Sequence, residues 1–222
     1  MAVPLDKFVH QYVPAPRGGD AVTFLMLHGA GGGERDLLHL GPVLDEGAGL
    51  LAPRGEALAT GAGASFLQSF VAGALDLDDL HAHTYELADW VRAAAVAHRF
   101  EIRRVVAVGH ASGADMAMSL LLLEPGLLAG AVLFRPALPL EPERKPQLHG
   151  VAVFVAAGRA DESVSPERLE GLTYQLRRAG ADVTLHWDNA GHEIESRETA
   201  AARDWLRRRR LARGLKVHDP PL

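Results

Sequence analysis

The stretch "GHASG" at residues 109–113 has the spacing of a nucleophile-bearing turn but no nucleophile at its centre. In the Gly-x-Ser-x-Gly motif, a serine on a sharp strand-to-helix turn attacks the carbonyl carbon of its substrate. Gly109 and Gly113 keep that spacing around Ala111, whose methyl group can neither attack nor donate a proton. The pattern predicts a hydrolase-type turn from which the reactive atom is absent.

Asp161 and His192 could supply the acid and the base that such a turn requires. Asp161 follows the apolar run "VAVFVAAG", and His192 follows the run "ADVTLHW". The base takes the proton of the nucleophile, and the carboxylate fixes the tautomer of the imidazole. Taken alone, a loop Asp is typical of a turn or helix cap, and a loop His of the protein surface. Their order along the chain (turn, then acid, then base) is the order of an α/β-hydrolase triad.

The hydrophobic pattern predicts the elements that must position these residues. Short apolar runs typical of buried strands are "AVTFLMLHG", "RRVVAVGH", "GAVLFRP", "GVAVFVAAG", "ADVTLHW" and the weaker "GLLAP". Helical stretches between them are "DDLHAHTYELADWVRAAAVAHRF", "SGADMAMSLLLLEPG", "SPERLEGLTYQLRRAG" and "ESRETAAARDWLRRRRLA". This alternation predicts a single α/β domain over residues 1–222, with a mostly parallel sheet covered by helices on both faces.

Chemistry gathers at the carboxyl ends of the strands in such a sheet, and the candidate residues all follow predicted strands. A glycine-rich loop, "LHGAGGGERDLL", leaves the first of them, and its N–H groups could bind a developing negative charge. A plain strand-to-helix turn would explain this loop equally well. The Gly/Ala-rich residues 55–75 are predicted to form a long loop at the rim of the sheet.

With these motifs, the chain resembles the phospholipase/carboxylesterase family of α/β-hydrolases, which is related to the acyl-protein thioesterases. The resemblance rests on "LMLHGAGGGERDLL", "LLAPRG", "GHASGAD", "LFRPALPLEPE", "GRADESV" and "GHEI". It implies a lidless serine esterase for short or medium acyl or aryl esters, with no metal and no organic cofactor. By position, Asp161 would be the triad acid, His192 the base, and the N–H groups of Ala30 and Ser112 the oxyanion hole.

The departure from this family is Ala111, which three hypotheses explain. An isolated or engineered Ser→Ala change could have disarmed an active esterase. Alternatively, the chain could be a naturally non-hydrolytic protein that binds a ligand or a partner. Catalysis by Ser112 is disfavoured, because Ser112 enters the following helix and its N–H would be needed as an oxyanion donor. The retained acid, base and glycine-rich loop favour the first hypothesis, since drift after a loss of hydrolysis should erode them.

Four residues are candidates for the wall of a substrate pocket. Phe66 and Phe70 are spaced i, i+4 in the Gly/Ala-rich stretch, where they could equally be core residues. Phe134 and Pro136 lie in "FRPALPL", where two prolines predict a stiff rim. The expected partner is a small-molecule ester. An apolar rim around a lidless site also often pairs, so a homodimer is an open alternative.

Composition excludes several other classes of function. The 222 residues include no cysteine, which rules out disulfides, thiolate catalysis and thiolate metal sites. The net charge of −5 argues against nucleic acid as a partner, and the basic C-terminal helix is interpreted as a solvated helix end. His81 and His83 point to different faces of a helix, so no metal site is expected. With neither a signal peptide nor an apolar run of about 20 residues, we expect no membrane insertion and a cytoplasmic location.

Overall fold

The computed structural model describes residues 3–16, 21–58, 61, 63–67, 77–137, 140, 142 and 145–212. The strands are β1 His10–Val13, β2 Thr23–Leu27, β3 Gly49–Pro53, β4 Glu56–Ala57, β5 Ala64–Ser65, β6 Val105–His110, β7 Gly130–Phe134, β8 Ala152–Gly158 and β9 Asp182–Asp188. The α-helices are α1 Leu40–Leu44, α2 Leu77–His98, α3 Ser112–Leu123, α4 Pro166–Arg178 and α5 Ser196–Ala212. None of these helices is both long and apolar enough to cross a bilayer.

Within the described residues, the main sheet has seven strands in the order β1-β3-β2-β6-β7-β8-β9. The edge strand β1 runs antiparallel to β3, and every other neighbouring pair is parallel. The carboxyl ends of β2, β6, β7, β8 and β9 therefore meet at one edge of the sheet. The candidate residues Ala30, Ala111, Ser112, Asp161 and His192 follow the ends of β2, β6, β8 and β9.

Helices cover both faces of the sheet because the strands are apolar on both sides. Along β2, Leu25 and Leu27 pack in one core with residues of α2, α3 and α4. Phe24 and Met26 point the other way, into a second core with residues of α1 and α5. This alternation follows from the two-residue period of a strand. The predicted α/β-hydrolase architecture, a mostly parallel sheet with helices on both faces, is confirmed. No lid domain is present among the described residues.

Four small elements, β1, α1, β4 and β5, differ from the sequence prediction. Strand β1 was not predicted, because "HQYV" has neither an apolar run nor a clean alternation. Helix α1 contains Gly41 and Pro42, which are poor helix formers, and is only five residues long. The stretch 55–75 was predicted to be a loop, but its described part contains β4 and β5, paired as a two-stranded antiparallel hairpin. Strands of two residues are too short to show a period in the sequence.

Candidate active site

The turn at Ala111 joins the end of β6 to the start of α3, and we call residues 110–112 the elbow. The backbone of Ala111 has φ 49° and ψ −118°, a conformation that is strained for any residue except glycine. Its N–H donates to the carbonyl of Phe134 at 2.9 Å, and its own carbonyl accepts from the N–H of Asp115 at 3.0 Å. These two bonds hold the strained backbone at the tip of the turn.

Gly109 and Gly113 are required by close backbone packing around the elbow. A Cβ atom at Gly113 would lie 2.0 Å from the carbonyl oxygen of Leu27 at the end of β2. A Cβ atom at Gly109 would lie 2.5 Å from the carbonyl oxygen of Gly113. Neither contact can be relieved by a flexible side chain, because both partners are backbone atoms. The two glycines of the motif thus allow α3 to begin directly against the ends of β2 and β6.

Asp161 and His192 are in direct contact at the neighbouring strand ends. Oδ2 of Asp161 lies 3.1 Å from Nδ1 of His192, and Oδ1 accepts from the N–H of Ser163 at 2.9 Å. Burial raises the pKa of Asp161, but the hydrogen bonds from Ser163 and His192 outweigh it and hold the pKa below its usual value. The ionised carboxylate favours a proton on Nδ1, which leaves Nε2 of His192 free to accept a proton. The His192 side chain is 43% exposed, so this nitrogen is open to a reactant.

The elbow and the imidazole of His192 are adjacent. The rings of His110 and His192 lie 5.1 Å apart between centroids, and His110 directly precedes Ala111. Nε2 of His110 also lies 3.0 Å from the carbonyl oxygen of His192. The structure therefore brings the three predicted positions, 111, 161 and 192, to one place. What it lacks there is a nucleophilic atom on residue 111.

The two predicted oxyanion donors have no acceptor within the described part of the chain. Ser112 is the first residue of α3, whose opening N–H groups have no partner inside the helix. Neither its N–H nor that of Ala30 donates to another described residue. A Cβ atom on the neighbouring Gly29 would lie 3.8 Å from Cβ of Ala111, so this loop passes beside position 111. The Oγ of Ser112 is buried without a hydrogen bond to any described residue, so it makes no hydrogen bond to the His192 base.

His28 fixes the start of the glycine-rich loop. Its Nδ1 donates to the carbonyl of Gly29 at 2.7 Å, and its Nε2 accepts from the N–H of Gly55 at 3.0 Å. Burial lowers the pKa of His28, which keeps the ring neutral and able to accept that bond. The ring of Phe66 packs on His28 at 4.7 Å between centroids.

Of the four predicted pocket residues, the three that the structure describes are buried. Phe66 is buried beside His28, as its core alternative predicted. Phe134 was predicted to line a substrate pocket, and the structure corrects this. The ring has no exposed surface and packs in the core with α1 and α5, because the alternation along β7 turns it inward. Pro136 is buried, and Phe70 lies outside the described residues. The carbonyl of Phe134 reaches the elbow, where it accepts the N–H of Ala111.

Arg135 is a site residue that the sequence analysis missed. It directly follows β7, has φ 58°, and is 2% exposed. Its Nη1 and Nη2 atoms donate to the two carboxylate oxygens of Glu198 at 2.7 and 2.8 Å. Its Nε lies 3.8 Å from Oδ2 of Asp161. A signal was present in the sequence, since Arg135 is a charged residue between Phe134 and Pro136 at the end of an apolar strand.

In the described residues, no group of three or more His, Asp or Glu side chains is arranged so that it could hold a metal ion. His83 of α2, considered in the sequence, instead contacts Asp79 and Glu56 at 3.2 and 3.4 Å.

Comparisons with known proteins agree with the fold. Residues 77–210 match the Dienelactone hydrolase family. MhqD of Bacillus subtilis (strain 168), whose name assigns it to the hydrolases, is 38% identical over 191 residues, or 86% of this chain and 95% of MhqD. The crystal structure of the Bacillus cereus carboxylesterase is 35% identical, with a TM-score of 0.86 over 90% of this chain and 94% of that one. A carboxylesterase from Mesorhizobium loti is 28% identical, with a TM-score of 0.83 over 90% and 94%.

The family match covers more than half of the chain and includes the elbow, Asp161 and His192. The two carboxylesterase structures each cover 90% of this chain. The chain therefore belongs to the dienelactone hydrolase family of the α/β-hydrolase superfamily.

Proposed function

We propose that this chain is a carboxylic ester hydrolase for short or medium acyl or aryl esters, which Ala111 deprives of its nucleophile. The observation that carries the proposal is the contact between Asp161 and His192 beside an elbow that keeps a strained backbone. The strained backbone at φ 49° serves no purpose for an alanine, whereas a nucleophilic side chain needs it in order to project from the turn towards the substrate. The geometry is thus retained at the one position where the chemistry is missing.

With serine at position 111, each remaining group has a defined task. The serine Oγ would attack the acyl carbon while Nε2 of His192 takes its proton and Asp161 stabilises the imidazolium. The N–H groups of Ala30 and Ser112 would bind the oxyanion of the tetrahedral intermediate. As the intermediate collapses, His192 would protonate the leaving alcohol. Water, activated by the same imidazole, would then release the acid and restore the serine.

With alanine at position 111, the side chain has no oxygen whose lone pair could attack the acyl carbon. Loss of the serine of a triad costs about 10⁶ in turnover, and the oxyanion hole and binding retain roughly 10³–10⁴ over water. We therefore expect the chain to bind esters and to leave them almost uncleaved.

The test is the substitution Ala111→Ser, assayed on p-nitrophenyl acetate and butyrate. We expect hydrolysis to rise by on the order of 10⁴-fold or more, and an organophosphate to label the new serine. The matched control is Ala111→Ser/His192→Ala, which should lose most of the gain. A folded Ala111→Ser protein with neither hydrolysis nor labelling would refute the proposal.

The second candidate function is ligand binding without hydrolysis, and Ala111 itself favours it. A natural binding protein should hold one class of ligand tightly, whereas a disarmed esterase should bind many esters weakly. Calorimetry of the unaltered chain with a panel of esters, acids and unrelated compounds separates the two. One ligand with sub-micromolar affinity that is neither an ester nor an acid would establish the binding function.

A further inference from the structure

Three consecutive carbonyl groups around the His192 base are each held by a side chain from another strand end. Residues 189–195 connect β9 to α5 and form what we call the base loop. Nε of Arg135 donates to the carbonyl of Gly191 at 2.7 Å, and its Nη2 donates to the carbonyl of Glu193 at 2.9 Å. Nε2 of His110 contacts the carbonyl between them, that of His192, at 3.0 Å. The backbone on both sides of the base is therefore fixed from β6 and β7.

Arg135 is itself rigidly held. Its bidentate pair with Glu198 joins two side chains that are 1% and 0% exposed, and its Nη1 also donates to the carbonyl of Ala156 at 3.3 Å. Glu198 in turn accepts from the N–H of Glu195, the last residue of the base loop, at 2.9 Å. A buried ion pair contributes little net stability compared with apolar side chains of the same volume, and the left-handed φ of Arg135 adds strain. These costs point to a role in positioning.

His110 can act only as a hydrogen-bond donor at the atom that faces the base loop. A carbonyl oxygen accepts, so Nε2 of His110 must carry the proton. Burial lowers the pKa of His110, and the neutral ring then has a single N–H, which is the one directed at the carbonyl of His192. His110 thus links the elbow to the base loop through one bond.

We infer that Arg135 and His110 are positioning residues that hold Nδ1 of His192 against Asp161. The guanidinium of Arg135 contacts the base loop on both sides of His192 and lies 3.8 Å from the Asp161 carboxylate, so it fixes both partners of that hydrogen bond. His110 fixes the distance between the same loop and residue 111. The effect on catalytic rate rests on the function proposed above, but the effect on the tautomer of His192 does not.

The first experiment uses the unaltered Ala111 chain and requires no activity. Long-range ¹H–¹⁵N spectra at alkaline pH identify which ring nitrogen of His192 carries the proton, with His192→Ala to assign the signal. We expect the Nδ1–H form in the unaltered chain, and a shift to the Nε2–H form that free histidine prefers in Arg135→Met. The control is Arg92→Met, which removes an arginine that pairs with Asp89 and with Glu124, at the far end of α3 from the elbow. It should leave the His192 tautomer unchanged.

Arg135→Met leaves Glu198 buried without its partner, so the double variant Arg135→Met/Glu198→Gln removes the stranded charge. A second pair of variants tests the hydrogen bond from His110 to the base loop and alters no ion pair. His110→Gln keeps an N–H donor near the position of Nε2, whereas His110→Leu removes it. We expect His110→Leu to populate the Nε2–H form of His192 and His110→Gln to restore the Nδ1–H form.

The second experiment repeats these variants in the Ala111→Ser background with p-nitrophenyl butyrate. Misplacement of a catalytic group by about 1 Å can cost about 10² in rate, so Arg135→Met/Glu198→Gln should lower kcat by about 10²-fold. KM should stay within about threefold, because no contact to the ester is removed. We expect His110→Leu to lower kcat by about 10-fold, and His110→Gln to restore kcat almost completely.

The two experiments separate failure of this inference from failure of the proposed function. If Ala111→Ser is inactive, the proposed function fails, while the His192 tautomer still decides whether Arg135 and His110 position the base. If folded Arg135 and His110 variants keep the Nδ1–H form, the inference is overturned. Equal loss of kcat in Arg92→Met and in the Arg135 double variant would also overturn it, because destabilisation alone would then explain the loss.

Discussion

Backbone contacts hold the candidate site at the ends of β2 and β6, whereas charged side chains hold it at the ends of β7, β8 and β9. In the first region, the elbow half, Gly109 and Gly113 let backbone atoms meet at distances that no side chain would allow. His28 adds two hydrogen bonds to backbone groups, and its ring stays neutral because burial lowers its pKa. No ionised group is needed to set the position of residue 111.

In the second region, the base half, ionised side chains determine the geometry. Asp161 contacts the His192 ring, and Arg135 contacts both Asp161 and the backbone of the base loop. The guanidinium is neutralised by Glu198 rather than by solvent. Truncating one of these side chains would leave a buried charge or carbonyl without its partner.

This difference explains how the site can lose its nucleophile and keep its shape. The backbone of the elbow is set by residues 109 and 113 and by the carbonyl of Phe134, none of which depends on the side chain at 111. A serine and an alanine at position 111 should therefore share one conformation. Substitutions in the base half should be far less tolerant, because the side chains there are themselves the supports.

The largest effect is expected from Asp161→Asn in the Ala111→Ser background. An amide can donate to Nδ1 of His192, which would place the proton on Nε2 and remove the base. We expect kcat on p-nitrophenyl butyrate to fall by about 10⁴-fold. The matched control is Asp182→Asn at the start of β9. Asp182 also has a lowered pKa, but the cause is a hydrogen bond from Arg209. This variant should retain nearly full activity, and equal losses in the two variants would contradict the assignment of Asp161.

Much of the fold could be predicted from the sequence because the central strands are buried on both sides. A strand such as β2, with all five residues buried, gives an apolar run that periodicity detects. The edge strand β1 gave no such signal because "HQYV" has neither an apolar run nor a clean alternation, and the two-residue strands β4 and β5 are too short to show a period. Asp161 and His192 could also be predicted as site residues, because each lies within four residues of the end of a detectable strand.

The contacts of the residues that support the site could not be predicted from the sequence. The roles of Arg135 and Glu198 depend on contact between residues 63 positions apart in the chain, and neither has a motif. Phe134 was misassigned for a related reason: its position at a strand end predicts the site, but the side to which its ring turns is set by the register of β7. Motifs locate the reactive residues, whereas the residues that align them depend on tertiary packing.

The next largest effect, on stability, is expected from Gly113→Ala in the elbow half. Its new methyl group would meet the carbonyl oxygen of Leu27 at 2.0 Å, so α3 would have to move away from β2. We expect the free energy of unfolding to fall by about 3 kcal/mol or more, measured by urea denaturation. Gly171→Ala in α4 is the matched control, because nothing lies within 4 Å of its added Cβ atom. This variant should gain about 0.5–1 kcal/mol, since alanine favours a helix interior. A loss below about 1 kcal/mol for Gly113→Ala would show that backbone packing does not fix the elbow.

The smallest effect is expected at an ion pair beside the elbow half, in contrast to the buried pair of the base half. Oε2 of Glu34 lies 2.6 Å from Nε of Arg54, and this hydrogen bond lowers the pKa of Glu34 from 4.5 to about 2. The Arg54 side chain is 46% exposed, so solvent screens the pair and its contribution is modest. Because the pKa is lower in the folded state, the pair stabilises the fold above pH 4.5 and loses this effect as the pH falls towards 2.

We expect Glu34→Gln to lower the melting temperature by about 1–3 °C at neutral pH, and the difference from the unaltered chain to shrink as the pH falls through that range. Thermal unfolding followed by circular dichroism at several pH values measures both. A difference that stays constant down to acidic pH would show that the charge of Glu34 contributes nothing. A loss of stability as large as that of Gly113→Ala would contradict the expectation that this exposed ion pair contributes little.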